Sequence, residues 1–280
     1  MVRDFLNEIG KITKNENIVD DIWEMQLHCP EIAGMAKAGQ FVNVKVAYEG
    51  MDPLLRRPIS ICEVNREKGQ LLLVYAVIGR GTKLMSAMKA GQEVEVLGPV
   101  GNGFPIEEAF ESCEVSECSC CSESDEPRRV AVIGGGIGTV PLLQLVKELK
   151  GRGVEPSAYL GFRGNSYKAD EFEKYCHSVT IATENGCEGF TGFVTEPFSD
   201  KVQDFDVVYS CGPEIMMKRV AEICQKAGVK LYVSMEERMG CGIGACLVCV
   251  CKTKAESELG WHHSKVCTDG PVFLSEEVFF

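Results

Sequence analysis

Four cysteines set the tightest limit on what this chain can fold into. Cys241, Cys246 and Cys249 crowd one glycine-rich run, Arg238-Met-Gly-Cys-Gly-Ile-Gly-Ala-Cys-Leu-Val-Cys, and Cys267 follows in Val266-Cys-Thr-Asp-Gly-Pro. The spacing C-x4-C-x2-C…C is the plant-type pattern for a [2Fe–2S] cluster, whose two irons need four thiolates between them. Gly240, Gly242 and Gly244 leave room for backbone amides to approach the sulfurs. Zinc competes for thiolate tetrads, but structural zinc sites pair two short knuckles rather than three crowded cysteines and a distant fourth. Cys251 lies two residues past Cys249 and shares its face if the segment is a strand, which makes it a spare ligand.

With 280 residues, 45% hydrophobic and 25% charged, the chain has room for two or three packed domains. A net charge of −12 argues against nucleic acid or an anionic membrane as partner. No apolar stretch reaches the length of a membrane span, and no charged-then-apolar leader opens the sequence. The odd count of fifteen cysteines fits a reducing cytoplasm better than a disulfide scaffold.

Pattern divides the chain into parts. Residues 1–105 carry short β-branched runs at Ile18–Leu27, Gln40–Val46, Leu71–Ile78 and Glu93–Val96, which predict a small antiparallel β-barrel. Residues 106–128 form a linker whose acidic, serine- and cysteine-rich core at 111–126 reads as an exposed insertion. Over 129–234 strands alternate with helices, which predicts a parallel α/β sheet. Strands are expected at Val130–Ile133, Ser157–Phe162, Ser178–Thr183, Asp206–Ser210 and Lys230–Val233. Helices are expected at Val140–Lys150, ended by Gly151, and at Glu214–Ala227, ended by Gly228. Residues 235–280 form the cysteine module. The fold class is thus α+β and multidomain.

Three loops suit phosphate or a flat ring. Gly134, Gly135, Gly136 and Gly138 follow a strand and open a helix, where bare amides and the helix dipole face an anion. The dinucleotide fingerprint is met only in part, since Thr139 fills the third glycine slot; alone, the run is equally a tight turn. Cys211, Gly212 and Pro213 follow a later strand, in the place where parallel sheets bind ligands. Cys211 either brushes a nicotinamide or is a small buried hydrophobe. In the first region Arg57 leads Pro58-Ile-Ser into a strand and can fork onto a diphosphate, although in isolation it reads as a solvated charge. Gly79-Arg-Gly-Thr-Lys is another amide-rich turn, and Gly98-Pro-Val-Gly-Asn-Gly-Phe closes the barrel region.

Taken in this order, Arg57-Pro-Ile-Ser60, Gly81-Thr82, Gly98–Phe104, Gly134–Gly138, Cys211-Gly-Pro and the module ending Val266-Cys-Thr-Asp-Gly-Pro-Val-Phe resemble the electron-transfer subunit of NAD-dependent (class 1B) dihydroorotate dehydrogenase, within the ferredoxin-reductase superfamily. The resemblance implies FAD on the barrel, held by Arg57, Pro58, Ile59 and Ser60. Val74, Tyr75 and Ala76 would give main-chain and ring contacts, and Gly81 and Thr82 would meet the diphosphate. It implies NAD at the α/β domain, on Gly134–Gly138 and Cys211–Pro213, and a cluster on Cys241, Cys246, Cys249 and Cys267. It further implies an FMN-containing dihydroorotate dehydrogenase catalytic subunit as partner, in a heterotetramer. Two features depart from the family pattern: the 111–126 insertion, and Ala76 where arginine is expected.

No general acid or base is required of such a chain, and His262-His263 reads as exposed polar filler. Arg163, near the end of the second α/β strand, leaves NADP open. Two other functions compete: a ferredoxin–NAD(P) or sulfide-type reductase subunit, and a redox sensor with a cluster but no flavin.

Overall fold

The computed structural model describes residues 5–47, 52–110 and 128–280; the acidic segment at 111–126 lies outside them. Six antiparallel strands close a barrel: β1 (Leu6–Val19), β2 (Ile22–His28), β3 (Phe41–Val44), β4 (Arg57–Asn65), β5 (Gln70–Ala76) and β6 (Glu93–Val100). Their order around the barrel is β1-β2-β5-β4-β3-β6. Alternation sets the faces: Ile59, Ile61, Leu71, Leu73 and Tyr75 point into the barrel core with Met25 and Leu27. Two short helices, α1 (Pro30–Met35) and α2 (Arg80–Ala87), add Ile32, Ala33 and Met85 to its core.

The expected strand at Ile18–Leu27 is a hairpin instead. Asp20 takes a left-handed φ of 46° and turns the chain between β1 and β2. The long β1 escapes sequence reading because its polar residues alternate with few apolar ones.

The second layer is a sheet in the order β10-β9-β8-β7-β11-β12-β15. Its parallel strands are β7 (Val130–Gly135), β8 (Ser157–Phe162), β9 (Ser178–Thr183), β10 (Phe190–Thr191), β11 (Val207–Cys211) and β12 (Lys230–Ser234), linked through α3 (Val140–Gly151), α4 (Ala169–Glu173), α5 (Thr195–Ser199) and α6 (Glu214–Ala227). Gly228 ends α6 at φ 70°, as expected. Gly151 does not end α3. The helix runs through it to Arg152, and Gly153, at φ 91°, takes the left-handed position.

Helix α3 is buried nearly all round because it lies between the sheet and strand β4 of the barrel. Leu142, Leu143, Leu145 and Leu149 are fully buried, each worth about 1.5–3 kcal/mol. Polar groups fix the register of this seam. Gln144 Oε1 accepts from the Val64 amide at 2.8 Å, and Lys147 pairs with Glu63 at 2.7 Å. Lys168 reaches Glu24 at 2.6 Å. Burial alone would raise the Glu24 carboxyl, yet hydrogen bonds from Lys14 and Lys168 hold it below the usual range.

The C-terminal region is wedged between the two larger parts. A hairpin, β13 (Val250–Lys254) with β14 (Trp261–Lys265), is followed by β15 (Val272–Leu274), which adds antiparallel to β12 as an edge of the main sheet. One core holds Phe41 and Val100 of the barrel, Ile133, Val208 and Val233 of the sheet, and Cys249, Val266 and Cys267. Among the described residues no helix is long and apolar enough to cross a membrane.

Candidate metal centre and nucleotide sites

The cysteine loop has no regular secondary structure between Gly240 and Cys249; the thiols and amides define its shape. Cys241 and Cys246 form one pair, the Cys246 amide donating to Cys241 Sγ at 3.3 Å. Burial alone would raise the Cys241 thiol, but N–H groups of Ile243, Cys246 and Ala245 point at its sulfur and bring it down to about 7. Cys249 and Cys267 form the other pair, both buried, with their thiols within hydrogen-bond reach. Burial first, and Cys249 second, push the Cys267 thiol up to about 12.

Among the described residues no three of His, Cys, Asp and Glu converge on a point suited to one metal ion. The spacing of these cysteines is not that of the two short knuckles of a structural zinc site. The two thiol pairs fit a dinuclear cluster, with one pair for each iron. Cys251 is not gathered with them. Its Sγ donates to the Ser264 carbonyl at 3.7 Å across the β13–β14 hairpin, and burial pushes it up to about 11.

Bracing residues hold this loop from outside. Lys265 Nζ donates to the Gly244 carbonyl at 2.9 Å. Asn102 Nδ2 donates to the carbonyls of Thr268 (3.3 Å) and Asp269 (2.8 Å), and its amide donates to Gly270 O at 2.7 Å. The Gly98–Phe104 bend therefore does more than close the barrel: it clamps the segment that carries Cys267. A second asparagine, Asn43 on β3, is 2% exposed and packs against Gly242; its Nδ2 has no partner. An unsatisfied buried donor costs about 1–3 kcal/mol. Sequence reading missed both asparagines. The pairing of Asn102 with Asp269 spans 167 positions.

The two glycine-rich loops meet. In the register of β7 with β11, Gly134 faces Cys211, at the carboxyl ends of both strands. Here the strand order reverses, since β8 to β10 run outward on one side of β7 and β11 on the other. A Cβ on Gly138 would lie 2.5 Å from the Cys211 carbonyl oxygen and 2.5 Å from Gly212 Cα. Gly135 similarly backs onto Pro213, where a Cβ would come within 2.9 Å of its ring. Thr139, in the third slot, is buried and its hydroxyl donates to Gly136 O at 2.9 Å. Burial pushes the Cys211 thiol up to about 12. Arg163 stands exposed just past the carboxyl end of β8.

On the barrel, the Arg57 guanidinium lies against the bare Cα of Gly81, so the two expected diphosphate motifs are side by side. Its Nη1 donates to Arg56 O at 3.2 Å. The Thr82 hydroxyl accepts from the amides of Ile78 (3.1 Å) and Gly79 (3.3 Å) and so shapes the turn. Pro58 and Ser60 face outward from β4, and Ile59 faces the barrel core. Val74 and Ala76 pack toward the nucleotide domain. Tyr75 turns the other way: its ring is in the barrel core and its hydroxyl donates to Asn15 Oδ1 at 2.9 Å. Only its main chain is left for a ligand. The cation, bare backbone and outward hydroxyl match a flavin diphosphate and ring. His262 and His263 are exposed, but His262 Nε2 also lies 3.1 Å from Ser264 Oγ, so it is tied into the hairpin.

Comparison with known proteins agrees with this geometry. Residues 236–279 match the family model for the iron-sulfur cluster binding domain of dihydroorotate dehydrogenase B. The dihydroorotate dehydrogenase B (NAD(+)) electron transfer subunit of Clostridium perfringens is 41% identical over 273 residues, 97% of each chain. That of Bacillus cereus strain ATCC 14579 is 40% identical over 269 residues, 95% of this chain and 96% of its own. Among solved structures, NADH-dependent reduced ferredoxin-NADP oxidoreductase, studied for flavin-based electron bifurcation, superposes with a TM-score of 0.80 at 28% identity, covering all of this chain and 91% of that one. A ferredoxin reductase of carbazole 1,9a-dioxygenase, at 17% identity and a TM-score of 0.61, covers 82% of this chain and 68% of its own and shares the fold. The chain belongs to the family of electron transfer subunits of dihydroorotate dehydrogenase B (NAD(+)).

Proposed function

We propose that this chain carries electrons from a dihydroorotate-oxidising catalytic subunit to NAD⁺ in pyrimidine biosynthesis. The observation that carries this reading is the seating of the cysteine loop against barrel strand β3, where Gly242 meets Asn43, next to the strand that bears Arg57-Pro-Ile-Ser60. When bound, the cluster moves single electrons and the flavin exchanges them in pairs with nicotinamide. The protein's part is to bind, space and shield these groups.

Each region takes one share of that work. The barrel, 1–105, holds FAD: Arg57 with Gly81 and Thr82 on the diphosphate, Pro58 and Ser60 along the ring, and Ile59 and Val74 to Ala76 through main chain. The 129–234 region holds NAD, with Gly134, Gly135, Gly136 and Gly138 at the phosphates and Cys211, Gly212 and Pro213 beside the nicotinamide. Cys241, Cys246, Cys249 and Cys267 hold the cluster in 235–280, and 106–128 is the linker. The partner is an FMN-containing catalytic subunit, assembled as a heterotetramer in the cytoplasm.

The test is a division of activities. Prepared without oxygen, the chain alone is expected to oxidise NADH with artificial dyes and to leave dihydroorotate untouched. Adding the FMN subunit is expected to give orotate and NADH together. Dihydroorotate oxidation by the isolated chain contradicts the proposal. So does faster reduction of ferredoxin than of NAD⁺ by the assembled complex.

A further inference from the structure

Among the described residues of the barrel wall, Asn43 is the one whose buried amide packs against the cluster loop and has no partner. It lies on the outward face of β3, between Pro58 on β4 and Leu97 on β6, and neither neighbour carries a polar side chain. Nδ2 finds no partner in the sheet. Ahead of it is Gly242, held at φ 68° immediately after Cys241, and any Cβ at that position would collide with the Asn43 amide group. Among the described residues only Asn43 Nδ2 and Ser210 Oγ are buried side-chain polar atoms lacking a hydrogen bond.

We infer that Asn43 donates an N–H···S hydrogen bond to a sulfur of the cluster carried by the Cys241–Cys246 loop, and so sets the cluster's reduction potential from the flavin-binding barrel. The inference rests on the proposed function, because it requires the cluster to be present. Gly242 lies between Cys241 and Cys246, so the Asn43 amide faces the stretch of loop that carries two of the thiols, and hydrogen bonds to cluster sulfurs are a known means of tuning potential. Reduction adds negative charge to the cluster. A donor aimed at sulfur stabilises the reduced form, so its loss lowers the potential. Asn43 also sits opposite Pro58 in the β3–β4 register, one strand from the residues assigned to FAD. The donor therefore ties the level of the cluster to the wall on which the flavin rests.

The experiment is a redox titration of the intact chain, followed by the electron paramagnetic resonance of the reduced cluster. Asn43→Leu keeps the shape and removes the donor; Asn43→Asp does the same and adds charge. With iron, acid-labile sulfide and FAD at wild-type content, Asn43→Leu is expected to disfavour cluster reduction about tenfold, roughly 59 mV for one electron, and Asn43→Asp by more. Wild-type potentials in both loaded variants overturn the inference. Should neither variant retain the cluster, wild-type protein labelled with ¹⁵N in its asparagine side chains decides. Hyperfine coupling of an amide nitrogen to the reduced cluster is expected, and its absence overturns the inference. Wild-type protein without iron defeats the proposed function itself, a separate outcome.

Discussion

Cys267→Ser is expected to give a protein that still binds flavin and oxidises NADH with dyes, yet passes no electrons from the catalytic subunit. Cys267 is fully buried, and its thiol is half of the second pair. Serine at that position offers a poor ligand for iron and leaves Cys249 alone. Losing an outer-shell partner commonly costs 10–100-fold in metal affinity, and losing a ligand costs more. Dihydroorotate-dependent NAD⁺ reduction should therefore fall by more than about a hundredfold, with iron content falling alongside. The barrel is not touched, since the clamp from Asn102 engages backbone carbonyls that serine retains. Cys251→Ser is the internal control. Its thiol bonds across the hairpin to Ser264, so iron content and electron transfer should stay at wild-type levels.

The second large effect is expected from Gly138→Ala. The added methyl would enter a contact made wholly of backbone, at 2.5 Å from the Cys211 carbonyl oxygen and from Gly212. No flexible side chain can yield there, so the two loops must separate. Overpacking of this kind costs about 1–3 kcal/mol. Expressed in nicotinamide binding, that is roughly a 5- to 150-fold rise in KM for NAD⁺. Flavin and iron content are expected to stay unchanged, because neither site touches Gly138. A KM that does not move would show that the two loops do not share one ligand.

Much of this architecture is legible in local patterns. The strands at Ser157–Phe162 and Ser178–Thr183 are read from the sequence with their observed bounds, because β-branched and aromatic runs there lie between turn residues. Gly228 announces the end of α6 for the same local reason. A local signal can also miss by a residue or two: Gly151 is the exposed last residue of α3, and Gly153 takes the left-handed stop instead. Where tertiary packing decides, local signals mislead. Tyr75 shows this limit within the site. Its place in a motif suggests a flavin contact, but alternation along β5 sends the ring into the barrel.

The candidate site divides along the same line. The four cysteines proposed as ligands are visible because three of them fall within nine residues of one another, and the spacing is chemistry-specific. Asn43 and Asn102 give no such signal. Each acquires its role by meeting a segment far along the chain, Gly242 in one case and Thr268–Gly270 in the other. Arg57 is intermediate: alone it reads as a surface charge, and its contact with Gly81 is what joins the two motifs expected at a diphosphate.

Iron, acid-labile sulfide and flavin, assayed together on chain purified under nitrogen, examine the core of this account most directly. The account requires two irons and two sulfides for every FAD. Material that keeps its flavin but contains zinc, or no metal, in place of iron contradicts it.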